Sequence, residues 1–162
     1  MESTDRDLVE RIHASFKGSG LRLSVAESCT GGFISHLLTT LPGASLFFDS
    51  SVVSYSASSK VEILGIRKSL IRNHGAVSDE VARAMAVAIR KKRKTDYSLA
   101  ITGNLGPEPM EDKKIGLVYI AVDREAETVS RGMLFDGERE EIKKKAALSA
   151  LELLREVVEV WG

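Results

Sequence analysis

The stretch "SVAESCTGG", residues 24–32, carries a short apolar run into a polar turn that ends on two glycines. Ser28 in that turn has the chemistry of a nucleophile at a strand end, but serine before a helix is also a common cap, and residue type leaves both readings open. A serine hydroxyl attacks a carbonyl only when a base takes its proton. The three histidines, His13, His36 and His74, sit in two helical segments and a turn without a triad-like carboxylate, so each reads as structural. Lysine is the other source of base, because burial and a positive field lower its pKa toward a neutral amine. The segment "YSASSK" puts Tyr55 at the end of an extended run and Lys60 about one turn into the next helix. Both can face the Ser28 turn, although a rim tyrosine and a surface lysine would have the same spacing. Cys29 is a rival nucleophile, since a thiol beside a helix amino terminus ionises easily. The N–H groups of Thr30, Gly31 and Gly32 are candidates to hold an oxyanion or a phosphate, with glycine allowing close approach.

The elements that must position these groups follow from periodicity. A first helix, capped by Ser3 or Thr4, repeats Leu8, Ile12 and Phe16 along one stripe and stops at Gly18 and Gly20. A strand is expected over 21–26 and a helix over about 30–41, ended by Pro42 and Gly43. An extended run follows at 46–55, then a short helix from about Ser58 that ends at Gly65. Ser78 caps a longer helix with Asp79 and Glu80 in its first turn and "RKKRK" in its last, as the helix dipole favours. Strands are expected at "YSLAIT", "IGLVYIAV" and "ETVSRGMLF", the last two as a hairpin, and a closing helix runs from about Glu138 to Trp161. The sum is one α/β domain over 1–162, with a mostly parallel, mixed five-stranded sheet, one antiparallel strand and helices on both faces. Such sheets bind ligands at the carboxyl ends of their strands.

Composition narrows the function classes. Lysine plus arginine and aspartate plus glutamate both number 23, so the 162-residue chain has no net field to draw in a nucleic acid or an anionic membrane. The basic run reads as a solvated helix end. With one cysteine there is no internal disulfide and no cysteine-rich zinc site, and no metal or cofactor cluster is expected. No window approaches the roughly 18 apolar residues of a membrane span, and the acidic start lacks an export pattern, so a cytoplasmic location is expected.

Six separated blocks, "VAESCTGG", "LPGAS", "VVSYSASSK", "HGAVSDEVARAMA", "AITGNLGP" and "GERE", stand in the order and spacing of the CinA carboxy-terminal domain family. The resemblance covers about residues 6–160. Stand-alone members of that family are nicotinamide mononucleotide deamidases, and larger ones carry an additional amino-terminal pyrophosphatase domain that this length does not accommodate. The resemblance therefore implies a three-layer α/β/α sandwich and a metal-independent serine amidase that converts nicotinamide mononucleotide to nicotinate mononucleotide and ammonia. It maps the nucleophile onto Ser28 and the proton-transfer groups onto Tyr55 and Lys60, with no cofactor. For the phosphate and ribose it points to Gly31 and Gly32, to Thr102 and Gly103, and to Arg139. A small-molecule nucleotide substrate and a homo-oligomer, most simply a dimer, complete the expectation.

The chain departs from the family pattern in three places. The loop "TGNLGPEPMEDKKIG" sets Glu108, Glu111 and Asp112 in a block where relatives have several glycines, and those charges would repel a phosphate unless Lys113 and Lys114 offset them or the loop points away. Ser50 and Ser51 replace a glycine pair. Lys143 or Lys144 stands where many relatives have a second arginine, and lysine lacks the forked contact. These departures keep two alternatives open: a nucleotide-binding module without turnover, and an amidase for another small amide.

Overall fold

The computed structural model describes residues 3–161, with the Trp161 side chain outside the description. In chain order it builds α1 (Ser3–Phe16), β1 (Leu23–Glu27), α2 (Phe33–Thr39), β2 (Phe48–Val53), α3 (Ala57–Leu64), α4 (Lys68–His74), α5 (Asp79–Arg93), β3 (Tyr97–Gly103), β4 (Leu117–Arg124), β5 (Glu127–Leu134) and α6 (Arg139–Trp161). The strands form one sheet in the order β2-β1-β3-β4-β5. β1 pairs in parallel with β2 and β3, while β4 is antiparallel to both β3 and β5. One strand of five thus runs against the rest, as periodicity predicts. The three-layer arrangement is borne out.

Alternation along the strands divides the core in two. Leu23, Val25, Leu99, Ile101, Val118 and Ile120 join α1, α2 and α6 on one face, with Ile12, Ile34, Leu38, Ile142, Leu151 and Leu154 among their partners. Ala26, Ala100 and Ala121 point to the other face, where Val81, Met85 and Ile89 of α5 and Leu64 of α3 cover them. Small residues on that face let α5 lie close to the sheet. Each fully buried aliphatic side chain contributes about 1.5–3 kcal/mol relative to exposure, which fixes the register wherever one face is buried. All five residues of β1 are buried, as its central position requires.

Several boundaries differ from the sequence expectation. Residues Ala44–Leu46 form a 3₁₀ turn, so the extended run starts at Phe48 and Tyr55 lies two residues past its end. α2 occupies only the middle of its expected span. α3 starts at Ala57 because Ser56, not Ser58, accepts the N–H of Ser59 as its cap. α4 is an element that periodicity does not reveal: seven residues with only Leu70 and Ile71 packed on the core carry too little pattern. Ser78 caps α5 through the N–H of Val81 as expected. The basic run ends α5 with Arg90 paired to Asp123 and Arg93 to Asp49. Among the described residues no helix is long and apolar enough to cross a membrane.

The order β2-β1-β3 reverses direction at β1, so a crevice opens between the carboxyl ends of β1 and β3. Ser28 follows β1 directly, and Thr102 and Gly103 close β3.

Candidate active site

A small cavity of about 60 Å³ occupies that crevice, lined among others by Ser28, Cys29, Tyr55, Lys60, Thr102, Gly103 and Arg139. A larger groove of about 580 Å³ between α1 and residues 41–47 has no nucleophile beside a base. Lys60 is 1% exposed, and its Nζ lies 2.8 Å from Ser28 Oγ, 2.8 Å from the Ser54 carbonyl and 3.2 Å from the Tyr55 carbonyl. Two carbonyls accept two N–H bonds, and the third neighbour is a hydroxyl that can donate as well as accept. A neutral amine, with two N–H groups and one lone pair, satisfies all three positions at once. Burial pulls Lys60 down to about 8 from an ordinary 10.5, against opposing charge from Cys29 and Glu111. The structure brings the Ser28 and Lys60 side chains together.

Tyr55 is placed differently from the expectation. Its backbone carbonyl serves Lys60, but the residue is more than half exposed and its phenol accepts a 2.7 Å bond from the Arg139 guanidinium. Arg139 also donates to the Gly106 carbonyl and so ties the phenol to the loop after β3. The phenol is a rim group that fixes Arg139 rather than a proton partner of Lys60. Accordingly, for any hydrolysis carried by Ser28, Tyr55→Phe should lower kcat less than about tenfold and act mainly on KM. Steady-state kinetics on purified protein would check this, and a kcat loss of a hundredfold would return the phenol to proton transfer.

The turn after Ser28 is also corrected. Glu27, fully buried, accepts from Thr30 Oγ1 at 2.6 Å, from the N–H groups of Gly32 and Ile34 at 3.0 and 3.1 Å, and from Ser35 N and Oγ at 2.9 and 2.5 Å. The Gly31 N–H closes onto the Ser28 carbonyl. The Thr30 hydroxyl and the N–H groups of Gly31 and Gly32 are thus occupied within the turn, and none of the three residues is among those lining the cavity. A free row of helix-start donors does not exist here, because a carboxylate from the preceding strand reached it first.

Thr102 and Gly103 do reach the cavity, in structural roles. Thr102 Oγ1 donates to the Ala76 carbonyl and anchors the turn before α5. A Cβ on Gly103 would stand 2.8 Å from Val118 Cγ2 and 3.2 Å from Cys29 Sγ, so close packing requires glycine there. Asn104, which sequence reading passes over, holds the base of the loop through Gly106 N and the Lys113 carbonyl. Burial pushes the Cys29 thiol up to about 12, outweighing the nearby Lys60 charge, which removes the thiolate a cysteine nucleophile needs.

In the acidic loop, Glu111 is held by donors close by. Glu111 accepts from the N–H groups of Ala76 and Val77 at 2.7 and 3.2 Å, and Lys113 donates to Glu111 and to the carbonyls of His74 and Val77. Burial opposes ionisation of Glu111, but those bonds win and hold its pKa below the ordinary value. Lys144 pairs with Asp5. His13, His36 and His74 are absent from the cavity wall, in keeping with structural roles. His13 bonds the Leu38 carbonyl, His36 stacks on Phe33 and His74 faces Glu80. Ser50 bonds Asp49, while nothing among the described residues partners the buried Ser51 hydroxyl.

Comparison with known proteins identifies the family of the chain. A CinA-like protein of Syntrophotalea carbinolica is 44% identical over 138 residues, covering 85% of this chain and 34% of that protein. One from Geobacter metallireducens is 41% identical over 141 residues, covering 86% of this chain and 34% of its own. The chain therefore spans about a third of the length of the curated relatives it matches. Solved structures match over nearly their full length. The competence damage-inducible protein A of Klebsiella pneumoniae superposes with a TM-score of 0.94 at 31% identity, covering 98% of this chain and 99% of that one. A competence or damage-inducible protein of Enterobacter asburiae gives 0.93 at 34%, covering 97% and 99%. The family model described as the CinA C-terminal domain matches residues 5–158, and the chain belongs to that family.

Proposed function

We propose that the protein is a serine amidase of the Ser–Lys type that hydrolyses the carboxamide of nicotinamide mononucleotide, releasing ammonia and nicotinate mononucleotide. The observation that carries this reading is the 2.8 Å contact between Ser28 Oγ and a fully buried lysine amine drawn down to about 8. The neutral Lys60 amine takes the Ser28 proton as Oγ bonds to the carboxamide carbon and the carbonyl electron pair moves onto oxygen. Collapse of that intermediate breaks the C–N bond, and the Lys60 ammonium protonates the departing nitrogen, which leaves as ammonia. Water then attacks the acyl-enzyme, gives a proton to Lys60 and releases the acid, while Lys60 returns a proton to Ser28. Arg139, at the rim, is the cation available for a phosphate.

The cavity itself favours a second reading. Pockets that enclose drug-sized ligands measure about 300–1,000 Å³, whereas this one is about 60 Å³. A smaller, unphosphorylated amide fits that space with less rearrangement than a mononucleotide does. Ammonia release measured with nicotinamide mononucleotide and with nicotinamide separates the two. The nucleotide is expected to be the better substrate, and Arg139→Ala should raise its KM at least tenfold while leaving kcat within about threefold. Higher kcat/KM for nicotinamide would select the second reading. A protein that binds the nucleotide and releases no ammonia would instead be a binding module.

A further inference from the structure

Glu27 is the one fully buried carboxylate beside the Ser28–Lys60 pair, and none of the ion pairs among the described residues includes it. A buried carboxylate without a cation is costly unless donors surround it. Here five donors converge on its two oxygens, all from residues 30–35. The residue at the head of α2 is Gly32, which has no side chain to cap the helix. The capping group comes instead from the residue next to Ser28, so the turn is gripped at both ends by one side chain. Strand alternation sends Glu27 toward α2 and leaves Ser28 facing the opposite side, where the cavity lies.

The backbone of the same residue holds the other half of the pair. The Glu27 carbonyl accepts the Ser54 N–H at 2.9 Å, and the Ser54 carbonyl accepts Lys60 Nζ at 2.8 Å. A continuous chain of contacts therefore runs from the α2 turn through Glu27 and Ser54 to Lys60. We propose that Glu27 is a positioning residue, whose buried carboxylate fixes the turn that aims Ser28 Oγ at Lys60 without itself touching the reacting atoms. This rests on the amidase reading above. Misplacement of a reacting group by about 1 Å costs on the order of a hundredfold in rate, which sets the scale of the effect.

The test compares wild type with Glu27→Gln and Ser35→Ala. The glutamine amide sets N–H groups against N–H donors, whereas Ser35→Ala removes one of the five donors and remains an exchange on a helix already packed. The expected result is a kcat loss of about 10- to 100-fold for Glu27→Gln and about threefold for Ser35→Ala. KM should stay within threefold, and the rise of activity with pH near 8 should keep its midpoint, since the Lys60 acceptors are unchanged. A second readout needs no substrate: covalent labelling by a fluorophosphonate, followed by intact mass. In that reaction a Ser28 Oγ–phosphorus bond forms, the phosphorus–fluorine bond breaks, fluoride leaves and the Ser28 proton passes to Lys60. Labelling should slow in parallel with kcat in both variants. If folded variants label and turn over at the wild-type rate, showing only a lower Tm, Glu27 is a scaffold residue and the proposal is wrong. If Glu27→Gln fails to fold, unchanged kcat and labelling in Ser35→Ala overturn it equally. A wild type that neither labels nor releases ammonia overturns the amidase reading, and the positioning role with it.

Discussion

Lys60→Met is expected to lower amide turnover by about three orders of magnitude while leaving the protein at least as stable near pH 7. The activity loss follows from removing the amine that contacts Ser28 Oγ, since general-base catalysis contributes about 10²–10⁴ in rate. The stability gain follows from burial. Desolvation holds Lys60 near 8 in the folded chain against 10.5 when free, so below pH 8 the folded state carries a charge it would rather lose. Two and a half pH units correspond to about 3 kcal/mol, and the thioether of methionine carries no such charge. Two freed carbonyl acceptors, Ser54 and Tyr55, take back part of that gain.

The pH dependence has a definite sign. Between about 8 and 10.5 the folded protein has released the Lys60 proton and the unfolded chain has not, so the unfolded state binds more protons and stability rises with pH. Below 8 both states are protonated and the contribution is flat. Cys29 acts oppositely from its ordinary 9.0 upward, because its folded thiol stays protonated up to about 12. The clean window is therefore pH 8–9. Urea unfolding across that window should show rising stability for wild type and none of that rise for Lys60→Met. In parallel, kcat/KM of the wild type should climb through an apparent pKa near 8. A variant that keeps activity, or a wild type with a flat profile from pH 6 to 10, would remove Lys60 as the base.

How much of this was readable beforehand depends on the range of the interaction concerned. Local signals put Ser28 at a strand end and Lys60 one turn into the next helix, but they left a cap and a surface lysine equally open, and it was the family resemblance that joined the two as nucleophile and base. The same local logic gave the strands, the capped α5 and the single reversed strand. The fate of the Tyr55 phenol was not legible, since its partner Arg139 lies 84 residues away and rim contacts leave no spacing pattern. The α2 turn misled for a related reason. Its glycines and hydroxyls have the makings of an anion site, but a buried carboxylate within the same motif satisfies them, and periodicity cannot say which way Glu27 points until the sheet order is known. Cys29 also depended on burial, which raised the thiol that proximity to a helix start was expected to lower. α4 was too short to announce itself, and although the offset of Glu111 by Lys113 was anticipated, its N–H partners in a turn 34 and 35 residues earlier were not.

The second large effect is expected at Ser28. Ser28→Ala should reduce ammonia release from nicotinamide mononucleotide by at least a hundredfold, because no covalent intermediate can form without the hydroxyl. Stability should fall by no more than about 1 kcal/mol, the net worth of the lost hydrogen bond to Lys60. Cys29→Ala separates the neighbouring thiol from this result. With its thiol held protonated up to about 12, Cys29 has little thiolate at neutral pH, and its removal should leave most of the rate intact. The double variant Ser28→Ala/Lys60→Met is the sharper measurement. Two groups that work only as a unit lose their function together, so its rate should match the slower single variant rather than the product of the two losses. Multiplicative losses would mean that hydroxyl and amine serve separate steps, and a fully active Ser28→Ala would leave the 2.8 Å contact as packing alone.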